Sequence, residues 1–248
     1  MFKTNNPLFN EKKIRETINI YSGEHMTING TIEKTALLLF LALIPAAFVW
    51  DYFFKSGGMT PLISGLLIGG SVLGLIFAII TSFSPKKSMY LAPIYALAEG
   101  LVLGGISALM ESFFPGIVIQ AVLLTFGVLA VMLVLYRTRV IKVTNRFRMI
   151  VFAATGAIML VYLISFIMSF FGTSIPLIHE GGTFGIIFSL LVVGIAAFNL
   201  AIDFDLIERS ARMKAPKFME WYGAFGIMVT LVWLYIEILR LLSKLRRE

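Results

Sequence analysis

Cysteine is absent from the 248 residues, which excludes disulfides, thiol nucleophiles and thiolate metal sites. Histidine occurs only at His25 and His179. The pair His179 and Glu180 lacks the second histidine of H-E-x-x-H, because Thr183 stands in its place, so metalloprotease chemistry is not expected. Neither the G-x-G-D pair of intramembrane aspartyl proteases nor G-x-S-x-G is present, and no enzymatic activity or cofactor is expected. Charge is scarce too: 14% of residues are charged, against roughly 25% in soluble domains. The first 34 residues lack a short apolar core followed by a small-residue cleavage site, so they do not read as a signal peptide.

Apolar residues make up 58% of the chain, and the mean hydropathy is +0.90. They gather in runs over 35–54, 61–83, 89–110, 116–136, 149–171, 183–202 and 221–242. Each run is long enough to cross a hydrocarbon core of roughly 30 Å as a helix. The expected class is an all-α integral membrane protein with the lipid bilayer as its solvent. It divides into a polar tail (1–34), a seven-helix transmembrane domain (35–242) and a short basic tail (243–248).

Lysine and arginine number sixteen in the amino-terminal tail and the second, fourth and sixth connectors together, but one in the first, third and fifth. This bias places the amino terminus in the cytoplasm, and the net charge of +7 reflects topology rather than nucleic-acid binding. Arg240, Lys244, Arg246 and Arg247 run against the pattern. Either that basic tail is exported or the last span does not fully cross.

Small residues recur every four positions at Gly70, Gly74 and Ala78, and again at Ala92, Ala96, Gly100, Gly104 and Ala108. This spacing lets helix backbones approach closely within a membrane. Both Gly100 and Gly104 are therefore expected against helices rather than lipid. Carboxylates inside the runs are costly and mark candidate ion or proton paths. Glu99 sits beside the long stripe. In the sixth run Ser189, Ala196, Asn199 and Asp203 share a face, with Asp205 pointing nearly oppositely. Asp203 is the inward candidate, and Asp205, Glu208, Arg209 and Arg212 read as a solvated or salt-bridged connector. In the last run Gly223, Thr230 and Glu237 form one stripe, flanked by Gly226, Trp233 and Arg240. Glu237 is either a site or the partner of Arg240, three residues on.

The segments NPLFNEK (6–12), MTINGTIEKTALLL (26–39), YALAEGLVLGGIS (95–107), NLAIDFDLIE (199–208) and APKFMEWYGAFGIMVTLVWLYIEILRLL (215–242) resemble the Bax inhibitor-1 family, in particular its bacterial members with a long amino-terminal tail. The resemblance implies six helices wrapped around a central last helix in a bacterial inner membrane. It also implies a pH-sensitive calcium or cation leak sensed by two aspartates, one in each of the last two helices, with calcium passing transiently near the first. The first aspartate corresponds to Asp203. Thr230 occupies the position of the second, so Asp205, Glu220, Glu237 or Glu99 would have to supply the other carboxylate. If Glu220 lay close to Asp203, the two would titrate as a coupled pair. The alternative is a regulatory protein acting on membrane-protein partners, such as an accessory to a membrane protease.

Overall fold

The computed structural model describes residues 24–171 and 182–247, leaving aside the side chain of Phe170. The segment 6–12 and the pair His179 and Glu180 lie outside them. The described residues form seven helices: α1 (Ile28–Lys55), α2 (Pro61–Phe83), α3 (Ser88–Phe113, entered through a 3-10 turn at Pro85–Lys87), α4 (Ile117–Arg137), α5 (Asn145–Phe170), α6 (Thr183–Arg212) and α7 (Met219–Leu245). All seven are long and apolar enough to cross a bilayer.

Threonine starts several of them. The hydroxyls of Thr27, Thr60 and Thr144 accept from the amides of Gly30, Ile63 and Phe147, satisfying donors that a helix start leaves unpaired. At α4 the turn is made by Gly116 with φ 81°, and the Glu111 carboxylate accepts from the amides of Gly116 and Val118.

Two boundaries differ from the sequence reading. First, α1 begins at Ile28, so Ile28–Lys34 are helical rather than tail. Second, α6 runs to Arg212, so most of the charged connector continues the helix. The pairs Asp205–Arg209 and Glu208–Arg212, each four residues apart, stabilise that extension on the helix surface.

The centre is α7. Of its most apolar stretch 56% is buried inside the protein, against 17% for α2 and α5, so those two present most of their surface to lipid. Backbones of α1, α3, α4 and α6 pack directly on α7, while α2 backs onto α3 and α5 onto α6. Two apolar clusters meet at α7. One joins Leu38 of α1 and Ala92 and Tyr95 of α3 to Ala224, Phe225 and Met228. The other joins Ile117, Ala121 and Met132 of α4 and Leu200 of α6 to Leu231, Leu234 and Ile238.

The small-residue stripe lies against α1. A Cβ built on Gly100 would stand 2.2 Å from the Ala42 carbonyl oxygen and 2.5 Å from Pro45, and one on Gly104 would stand 2.5 Å from the Ala46 carbonyl oxygen. The α2 stripe turns to α3 in the same way, since a Cβ on Gly70 would meet the Ala98 carbonyl oxygen at 2.9 Å.

The carboxyl end of α7 resolves the awkward basic tail. Lys244 donates to the Gly185 carbonyl (3.0 Å) and the Ser189 hydroxyl (2.9 Å) at the start of α6, and Arg246 donates to the Pro115 carbonyl (2.7 Å) and Gln120 (3.0 Å). With 27 residues and a rise of roughly 1.5 Å each, α7 is long enough to span the bilayer, and its carboxyl end lies opposite the connectors rich in lysine and arginine.

Candidate pH-sensing and ion-pathway site

The polar stripe of α6 and the glycine stripe of α7 face each other. Thr230 donates its hydroxyl proton to Asp203 Oδ2 at 2.6 Å, one turn beyond Gly226, where a Cβ would sit 3.6 Å from Asp203 Oδ1. Asn199, one turn below, donates to the Thr155 hydroxyl of α5 at 2.9 Å. Asp203, Asn199 and Thr230 line a cavity of about 320 Å³ together with Ser82 of α2, Phe152 of α5 and Tyr222 of α7. Among the described residues no ion pair reaches Asp203. It is a partly buried carboxylate held by one hydroxyl, in the half of the bundle nearest the basic connectors.

The other sequence candidates do not join it. Glu99 lies against α2, where its Oε1 would be 2.8 Å from a Cβ on Gly74, with Tyr95 one turn back as its hydroxyl neighbour. Gly74 and Ala78 are one turn apart on α2, so Glu99 stands deeper than the cavity that Ala78 lines. Glu237 is 1% exposed and accepts from Tyr162 (3.0 Å to each oxygen) and Arg240 (2.9 and 3.1 Å). Arg240 also donates to the Tyr162 hydroxyl at 2.6 Å and lies 4.8 Å from that ring's centre. The carboxylate is thus fully engaged in an ion pair toward the opposite end of the bundle.

Glu220 corrects the idea of a coupled carboxylate pair. It is fully buried, but it faces α1: Oε1 accepts from the Thr27 amide (2.9 Å) and hydroxyl (3.0 Å), and Lys34 Nζ pairs with Oε2 at 2.7 Å. Gly30 makes room for it, since a Cβ there would be 2.3 Å from Glu220 Oε1. The clip is extended by Met26, whose amide donates to the Ala215 carbonyl at 2.8 Å, and by the exposed pair Lys217–Glu24 at 2.8 Å. Hydrogen bonding from Lys217, and then its charge, hold the Glu24 carboxyl below the usual range.

Of the two readings of Asp205, solvated or salt-bridged, the structure shows the second. Asp205 does point away from Asp203, but into protein: it is 6% exposed and pairs with Arg148 of α5 and, at 3.0 Å, with Arg209. A helix at this depth has a buried face on each side, and the Arg148 side chain covers the one that carries Asp205. Because Asp205→Asn leaves the half-buried Arg148 without its charge partner, we expect a loss of about 3 kcal/mol in stability. Thermal unfolding in detergent checks this, and an unchanged midpoint would contradict it.

Tyr162, Arg148, Lys34 and Lys244 escape a reading based on carboxylates alone. Lys244 had a signal, since it continues the seven-residue series of Gly223, Thr230 and Glu237.

Six membrane-spanning helices around a buried seventh, with a carboxylate in a largely apolar cavity beside the last two, define a multi-pass integral membrane protein. A family model described as Bax inhibitor 1 like matches residues 6–247, and the chain belongs to that family. No match is found among curated proteins or solved structures.

Proposed function

We propose that this protein is a pH-sensitive cation leak, with calcium as the permeant ion and the Asp203 cavity as its entrance from the cytoplasm. The observation that supports this most is the state of Asp203: a carboxylate within a membrane span, beside a mainly apolar cavity that Ser82, Asn199 and Thr230 also line, and bonded among the described residues to the central helix through Thr230. While ionised, it accepts a charge-assisted hydrogen bond that ties α6 to α7. Gaining a proton removes the charge and weakens that tie, so α7 shifts against α6 and the path toward Glu99 opens. Calcium prefers six to eight oxygen ligands, whereas one carboxylate with Asn199, Thr230 and Ser82 offers few and weak ones. Among the described residues no three His, Cys, Asp or Glu side chains are grouped to hold a metal ion. The role is a conduit, not an enzyme.

The basic connectors support an entrance on the cytoplasmic side, in what we read as a bacterial plasma membrane. The absence of cysteine gives a clean test of this orientation. In intact cells a membrane-impermeant thiol reagent should label Asp51→Cys and spare Lys214→Cys; the reverse pattern would overturn the orientation. For conduction, the purified protein in liposomes loaded with a calcium indicator should admit calcium faster than empty vesicles, at a rate that varies with pH. No flux at any pH would refute the leak and leave the regulatory role.

A further inference from the structure

A second, larger cavity lies outside this site, and we infer that it binds one anionic phospholipid drawn from the leaflet on the basic side. It measures about 550 Å³ and is a cleft between α1 and α4, which flank it without extended contact, floored by Phe204 and Ile207 of α6 and Ile227 of α7. Its walls are mainly apolar: Ile32, Ala36 and Leu39 on α1, with Thr31 and Thr35 among them, face Leu129 and Leu133 on α4. Ile32 is 59% and Leu133 41% exposed, so the cleft is open sideways to lipid.

Its chemistry changes at the membrane surface, where Arg137 and Arg139 form the mouth. Arg137 is exposed and, among the described residues, has no carboxylate in ion-pairing distance. Arg139 adopts φ 60°, in a left-handed turn, and its guanidinium lies 5.7 Å from the Tyr136 ring centre, 3.3 Å from Glu208. Glu208, the one acidic group lining it among the described residues, is already engaged by Tyr136, Arg139 and Arg212, so the mouth stays cationic. Asn29, in the first turn of α1, also lines the mouth. Apolar walls open to the bilayer, with a cationic mouth at headgroup level, match an acyl chain below a phosphate. A soluble anion would leave the walls unfilled, and a zwitterionic lipid would gain less from the arginines.

The test is native mass spectrometry of the full chain in mild detergent with equal amounts of phosphatidylglycerol and phosphatidylethanolamine bearing the same acyl chains. Phosphatidylglycerol should be retained preferentially. Retention should fall roughly fivefold for each of Arg137→Gln and Arg139→Gln, the effect of one basic residue near an anionic surface. Ala36→Trp, on an exposed position of α1, should also displace the lipid by filling the cleft while leaving the arginines intact. Arg137→Gln breaks no ion pair among the described residues, so it reports on the site even if Arg139→Gln disturbs the fold. Equal retention of the two lipids would overturn the inference, as would no effect of Ala36→Trp, which would mark diffuse surface binding. Glycerol phosphate competing as well as the lipid would overturn it too, by showing a soluble anion as occupant. So would efficient cross-linking of Ala36→Cys to residues 1–23, by showing the chain's own tail there.

Discussion

Glu220→Ala is expected to destabilise the protein by about 3 kcal/mol or more, the largest effect of any single side-chain truncation considered for this fold. Removing one member of a buried ion pair leaves the other charge without compensation, and such changes typically cost about 3–5 kcal/mol. Here the orphaned groups are the Lys34 ammonium, 17% exposed, and the Thr27 amide at the start of α1. Partial exposure lets Lys34 recover some hydration, which places the effect at the lower end of that range. The structural consequence is local: α1 loses its attachment to the first turn of α7, while the remaining helices keep their packing. Lys34→Met should cost less, because Glu220 keeps Thr27 and has Lys217 at 3.9 Å. Hydrogen exchange would show the effect as lost protection in the first turns of α1. Unchanged protection there would mean that the buried carboxylate does not hold α1 in place.

Gly100→Ala is expected to lower the thermal midpoint by several degrees, although alanine is the better helix former by roughly 0.8–1.0 kcal/mol. The obstacle is backbone: the added methyl would stand 2.2 Å from the Ala42 carbonyl oxygen, and no rotamer change moves it away. Overpacking of this kind costs about 1–3 kcal/mol, and relief requires α1 to move off α3. Gly69→Ala is the internal control, because nothing lies within 4 Å of its added Cβ. It should be neutral or slightly stabilising. If both substitutions behaved alike, the close α1–α3 contact would not exist.

The fold was legible where lipid imposes a pattern. The seven spans follow from run length, and the contact surface of α3 follows from five small residues four apart. The helix ends were harder to read. Asn29, Glu33 and Lys34 look like tail by hydropathy, yet Thr27 caps a helix that includes them and the buried Glu220 receives Lys34. The end of α6 carries charges that read as connector, while their four-residue spacing supports a helix. Face geometry put Asp203 and Asn199 on one stripe and Thr230 on another, and the structure brings the three to one cavity. Face geometry missed the burial of Asp205 and the role of Glu220. Helical phase gives the direction of a side chain relative to its own axis but not which neighbour stands there, and both residues meet cations from sequence-distant helices.

The central claim is that the protonation state of Asp203 controls cation passage through its contact with Thr230. The most direct measurement is calcium flux into liposomes across a pH series for the wild type and Asp203→Asn, which keeps the size of the side chain and removes its titration. A flux that varies with pH in the wild type and stays flat in Asp203→Asn is the expected result. Glu237→Gln, altering an ion pair at the other end of the bundle, should leave the shape of the profile intact. An unchanged profile in Asp203→Asn, with pH dependence abolished instead by Glu99→Gln or Glu237→Gln, would contradict the account and move the sensor deeper into the bundle.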